Sequence, residues 1–126
     1  MAFMDELGAA ITSVADKVGS STVRIGGGWR GGSGFVIGPN QVLTNAHNVR
    51  ADEVSVTFAD GRRVTGKVAG LDVDGDLAVV SVETGGAAAL DLSGSDGASL
   101  GTPVFAVTLN GNGPRVTFGT VSSVAR

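Results

Sequence analysis

The sequence predicts an all-β domain with a single helix at its N-terminus, and three observations carry that expectation. Apolar residues fall in short runs, several alternating with polar ones, and turn residues separate them at close spacing. Glycine is in excess, 21 of 126 residues, scattered between the runs with no Gly-X-Y period, which signals many tight turns. Helical periodicity occurs once, before residue 20. Short strands joined by glycine-rich turns point to a β-barrel or sandwich.

The elements follow in order. From Asp5 to Val18, apolar residues stand at Leu7, Ile11, Val14 and Val18, a single helical stripe, with Asp5 and Glu6 at the positive end of the helix dipole and Gly19 as a stop. Thr22–Ile25 is a first strand, followed by a loose loop through Gly26-Gly27-Gly28 and Gly31-Gly32. Gly34–Ile37 and Gln41–Thr44 come next, split by Gly38-Pro39-Asn40. Glu53–Phe58 puts Val54, Val56 and Phe58 on one face. Asp60-Gly61 is a hairpin turn whose residues tolerate positive φ, and Arg63–Leu71 returns from it. Asp76–Val82 is a compact apolar strand.

Residues 85–102, rich in Gly, Ser and Ala, read as a connection pinned by Leu90, Leu92 and Leu100. Val104–Leu109 and Val116–Val124 form a last hairpin around Asn110-Gly111-Asn112-Gly113-Pro114.

Composition excludes several functions. At 42% hydrophobic and 17% charged residues the chain is globular, one domain or one domain plus part of another. A net charge of −3, with arginines dispersed along the chain, leaves no footprint for nucleic acid or an anionic membrane. The absence of cysteine excludes disulfides and thiolate metal sites. No apolar run approaches the ~20 residues that span a bilayer. Met1–Glu6 lacks the basic and apolar regions of a signal peptide.

Candidate chemistry centres on His47, the only histidine. It follows the apolar run Val42-Leu43-Thr44, so a buried strand would deliver the imidazole near a surface, where a general base is useful. A lone histidine is more often structural than catalytic, and position alone does not assign it a role. A second candidate stretch alternates Asp72, Asp74 and Asp76, with Glu83 eleven positions after Asp72. It nearly fits a twelve-residue calcium loop but has Leu77 where that loop needs glycine, and an apolar run follows. No calcium site is expected. Asp76, next to the apolar run, is the carboxylate expected to be drawn inward, where it would need a partner.

Three ordered motifs carry a resemblance: Gly32-Ser33-Gly34-Phe35-Val36-Ile37, Val42-Leu43-Thr44-Asn45-Ala46-His47 and Asp76-Leu77-Ala78-Val79-Val80. Together they resemble the HtrA family of trypsin-like serine proteases, over about residues 18–126. The segments 104–107 and 116–122 are similar to the family's first strands after its interdomain crossover. The resemblance implies an N-terminal helical segment (1–19), a trypsin-like six-stranded Greek-key barrel (20–90), and a crossover with the first hairpin of a second, incomplete barrel (91–126). It implies that His47 is the catalytic base and Asp76 its orienting partner. A carboxylate accepting the Nδ1 proton fixes the tautomer and stabilises the imidazolium formed during attack.

The family's nucleophile belongs to a Gly-Asn-Ser-Gly-Gly segment, which this sequence lacks. Ser33 lies in a motif that is structural in the family, Ser93, Ser95 and Ser99 in the connection, and Ser122 and Ser123 in the last strand. Gly31-Gly32-Ser33-Gly34-Phe35 does not fit a Gly-x-Ser-x-Gly elbow. Loss of a triad serine costs on the order of 10⁶ in kcat, so this chain alone is expected not to hydrolyse peptides.

The implied partners are a polypeptide substrate and a C-terminal barrel, with self-association through exposed edge strands; no cofactor or metal is expected. The implied location of the parent is exported, periplasmic or cell-surface. A non-catalytic barrel serving as a binding or scaffold module is the alternative.

Overall fold

The computed structural model describes residues 2–27, 31–92, 99–110 and 113–122. One α-helix, α1 (Ala2–Gly19), precedes eight strands: β1 (Thr22–Ile25), β2 (Gly32–Gly38), β3 (Gln41–Thr44), β4 (Glu53–Thr57), β5 (Arg63–Asp72), β6 (Leu77–Ser81), β7 (Pro103–Asn110) and β8 (Gly113–Thr120). The first six close into an antiparallel barrel in the order β1-β2-β3-β6-β5-β4, and β7 and β8 form a separate two-stranded sheet. Pairing of β3 with β6 joins two three-stranded meanders, and pairing of β1 with β4 closes them into one sheet.

Alternation fills the interior. Val23, Ile25, Val36, Val42, Val56 and Val80 are fully buried, and Val54, Phe58 and Val82 complete the cluster. These are β-branched and aromatic side chains, whose shape suits a pleated surface. Closure also removes the free edges that an open sheet would expose. At Gly34 the strands come close: a Cβ there would lie 2.7 Å from the Leu43 carbonyl oxygen. The glycine permits β2 and β3 to approach.

The barrel end that bears Asn40 is clasped by hydrogen bonds. Asn40, at φ 60°, receives the Thr84 N–H on Oδ1 at 3.2 Å, and its own N–H donates to Thr84 Oγ1 at 3.1 Å. Arg62 donates to the carbonyls of Glu83 and Thr84 and stacks over Phe58 at 4.3 Å. Gly61, at φ 89°, gives the predicted turn its left-handed residue.

Several boundaries differ from the sequence expectation. The helix begins three residues before Asp5, with its predicted stripe of Leu7, Ile11, Val14 and Val18 half-buried. It packs beside β7 and β8, and the Pro114 ring fills the space over Gly19. Asn110 pairs directly with Gly113, so the last hairpin is tighter than predicted and β8 ends at Thr120 rather than at 124. The centre of that hairpin, 111–112, lies outside the described residues, as do 28–30 of the first loop, Ser93 and Ser95 of the connection, and Ser123.

Of the leucines expected to pin the connection, Leu90 is half-buried and its N–H donates to Val36 O at 2.7 Å. Leu92 and Leu100 are exposed. No helix among the described residues is long and apolar enough to cross a membrane.

Candidate active site

Register brings the two candidate residues together. β3 and β6 run antiparallel with Thr44 opposite Ala78, so the residues after Thr44 and those before Ala78 emerge at the same end of the barrel. Beyond Thr44 the chain leaves the sheet through Asn45 into a single 3-10 turn, Ala46–Asn48. That turn aims both the backbone and the side chain of His47 at Asp76. His47 Nδ1 lies 2.7 Å from Asp76 Oδ2, and the His47 backbone N–H donates to Asp76 Oδ1 at 2.9 Å. Both carboxylate oxygens are engaged by one residue, which fixes the ring's position relative to the backbone that carries it.

The backbone N–H of His47, then its side chain, hold the Asp76 carboxyl below the usual carboxylate range; the Ala46 N–H adds a smaller effect in the same direction. Asp76 is therefore ionised at neutral pH. Facing an anionic acceptor, Nδ1 carries the ring proton in the neutral imidazole and Nε2 is left bare. Among the described residues Nε2 has no hydrogen-bond partner.

Of the three aspartates in this stretch Asp76 is the least exposed, as expected, Asp72 and Asp74 being exposed, but it is not buried. Its side chain is 45% exposed and that of His47 68%. The reason is backbone geometry: at φ 55° Asp76 occupies the left-handed region and belongs to the turn before β6, not to the strand. The partner it needs comes from hydrogen bonding at the surface. Asp72 lies in the same turn, and its Oδ1 accepts the Gly75 N–H at 3.0 Å. No group of three or more His, Asp or Glu side chains among the described residues is placed to hold a metal ion.

Four residues that support the pair were given no such role from the sequence. Asn45 Nδ2 donates to the Asp76 carbonyl at 3.1 Å, tying the two chain segments together. Thr44 Oγ1 donates to Ser33 O at 2.8 Å and accepts from Asn48 Nδ2 at 3.1 Å, which anchors the 3-10 turn to β2. Gly32 admits the Asn48 carboxamide, with which a Cβ would collide. The signal available was the polar pair Asn45 and Asn48 flanking His47 directly after an apolar strand.

The imidazole opens on a cleft of about 640 Å³ between the barrel and β7, lined among others by Arg24, Ser33, Phe35, Asn48 and Val107. Ser33 shares the cleft with His47, but no hydrogen bond joins the two side chains.

A family model described as the trypsin-like peptidase domain matches residues 32–126. The chain belongs to the trypsin-like peptidase family. Its relatives place this trypsin-like domain with the HtrA and DegP-type members. The HhoB protein of Synechocystis sp., named as a serine protease, is 39% identical over 98 residues, covering 75% of this chain and 24% of its own length. A Halomonas elongata protein named as a DegP-like periplasmic serine endoprotease is 36% identical over 98 residues, with 21% of its length covered. The chain thus spans about a quarter of the length of these curated relatives. Among solved structures, the serine endoprotease from Yersinia pestis superposes with a TM-score of 0.77 at 22% identity, covering 90% of this chain and 44% of that one. That likeness bears on the fold.

Proposed function

We propose that this trypsin-like domain supplies the general base, His47, and its orienting carboxylate, Asp76, to a serine endopeptidase whose nucleophile, oxyanion hole and specificity pocket lie outside the chain. The observation that carries the reading is the double engagement of Asp76 by His47, which leaves Nε2 bare above a cleft. Such an imidazole takes a proton from an attacking hydroxyl at Nε2, and the carboxylate stabilises the imidazolium that results.

In this reading residues 20–90 are the N-terminal barrel, and 91–126 are the crossover and opening hairpin of a second. The substrate is a polypeptide. The relatives' names support a periplasmic location for the parent. Without a nucleophile, the chain alone does not hydrolyse peptides.

The exposure of the pair favours a second reading, a binding or scaffold barrel in which His47 and Asp76 have lost their task. Nitrogen-15 NMR of the imidazole separates the two. A working pair shows a single tautomer at neutral pH, protonated at Nδ1, with a downfield Nδ1 proton, and both features disappear in Asp76→Asn. A mixture of tautomers in the unmodified chain sinks the triad reading. In the full-length protein, His47→Ala should then remove peptide hydrolysis.

A further inference from the structure

Asn45 stands where a side-chain cap belongs and does not cap. It precedes the 3-10 turn Ala46–Asn48 in an extended conformation, φ −82° and ψ 145°. In that setting an asparagine side chain ordinarily accepts a hydrogen bond from an N–H two or three residues on, and no such bond forms. The Asn48 N–H is spent on the Asn45 carbonyl at 3.1 Å, and the His47 N–H goes to Asp76 Oδ1, 29 positions later in the chain. Asp76 therefore caps the turn from another segment. Asn45 returns the bond, since its Nδ2 donates to the Asp76 carbonyl oxygen at 3.1 Å. A carbonyl only accepts, so the carboxamide must present its nitrogen there.

Two consequences follow for Asp76. At φ 55° its backbone lies in the left-handed region, which aspartate visits but which local contacts must select over the extended one. Burial does not select it, since the side chains of Asp76 and His47 both stand at the surface. The Asp76 N–H makes a bond of 3.2 Å to the Val73 carbonyl within the turn, and strand pairing resumes only at Leu77. Among the described residues the Asn45 carboxamide makes the only side-chain hydrogen bond to the Asp76 backbone, and it comes from the segment that carries His47. The second consequence is competition. A carboxamide released from Asp76 can swing back to cap its own turn, taking the His47 N–H that Asp76 Oδ1 now accepts. Withdrawal of that N–H unseats one of the two carboxylate oxygens that fix the imidazole.

We infer that Asn45 is a positioning residue for the His47–Asp76 pair: its carboxamide holds the Asp76 backbone in the turn and, by staying there, leaves the His47 N–H to the carboxylate. This rests on the endopeptidase reading, in which the pair is the base and its orienter.

The test uses the isotope-labelled chain with Asn45→Ala and Asn45→Ser. Alanine removes the donor without adding a charge. Serine loses it too, being too short to reach the Asp76 carbonyl, but remains a good cap for the turn, so it separates holding Asp76 from capping. In both variants nitrogen-15 shifts of the imidazole should show the ratio of Nδ1- to Nε2-protonated tautomers falling on the order of fivefold, the factor carried by one uncharged hydrogen bond. The Asp76 carboxyl, followed by carbon-13, should titrate at a higher midpoint than in the unmodified chain, because its donors stand further off. Serine should keep the Tm nearer that of the unmodified chain than alanine does. An unchanged ratio and midpoint in the alanine variant overturns the assignment, as does a ratio lost in alanine and restored in serine, which makes capping the whole role. Mixed tautomers in the unmodified chain sink the endopeptidase reading and this role with it. A single tautomer that both variants keep sinks the role of Asn45 alone.

Discussion

Replacing Thr44 by valine tests whether the site is held by the strand or by the polar contacts at its end. Thr44 is 5% exposed, with its hydroxyl donating to Ser33 O and accepting from Asn48 Nδ2. Valine keeps the branched shape that suits β3 but removes both hydrogen bonds. A buried hydrogen bond between uncharged groups contributes roughly 1 kcal/mol net, and an acceptor left without a partner costs about 1–3 kcal/mol. Asn48 is half-buried and can turn its amide to water, so its share is the smaller. Against this, the new methyl gains at most ~0.8 kcal/mol of apolar burial.

The net destabilisation is then about 1–2 kcal/mol, a drop in Tm of about 3–8 °C for a domain of this size. Urea unfolding measures it. The second readout is specific to the site: with Asn48 released, the 3-10 turn loosens and the His47 Nδ1 proton signal weakens or exchanges faster. Thr44→Ser keeps the hydroxyl and should retain that signal even where stability falls. A valine variant with unchanged stability and an unchanged His47 signal would show that the hydroxyl does not anchor the turn.

Three further outcomes are expected. Asp76 is depressed below its ordinary value, so the stability it contributes is fully present above the unfolded carboxyl range near ~4 and is lost as pH falls through the lower folded value. Carbon-13 titration of the Asp76 carboxyl should show that low midpoint, and a midpoint at or above ~4 refutes it. Gly34→Ala should destabilise by more than about 2 kcal/mol, since its Cβ meets the Leu43 carbonyl at 2.7 Å and the strands must part; near-wild-type thermal unfolding would contradict the close packing of β2 on β3. Strands β7 and β8 pair only with each other among the described residues, so sedimentation should reveal self-association through their edges. A monomeric mass at all concentrations speaks against that.

The barrel was legible because its information is local. Alternation at Val54, Val56 and Phe58 and the Asp60-Gly61 turn each fix a strand or a reversal without reference to the rest of the chain. The approach of His47 to Asp76 was legible only through the resemblance, since the register of β3 on β6 is a long-range property that no periodicity encodes. The supporting roles of Asn45, Asn48 and Thr44 escaped notice for a similar reason: their hydrogen bonds reach β2 and the turn before β6, so their types alone name no partner. The misplaced burial of Asp76 had another cause. Proximity in sequence to an apolar run implies burial only while the strand conformation continues, and here the strand starts one residue later.

That one residue has an evolutionary consequence. At φ 55° the chain is at ease with glycine, asparagine or aspartate and strained by most others. Under the proposed role of Asp76 the position selects its occupant twice, once for the shape of the turn and once for the negative charge. Drift at this site should run first to asparagine, which keeps the turn while discarding the charge. A chain that crossed that step would keep the turn and the barrel and lose only the carboxylate facing His47.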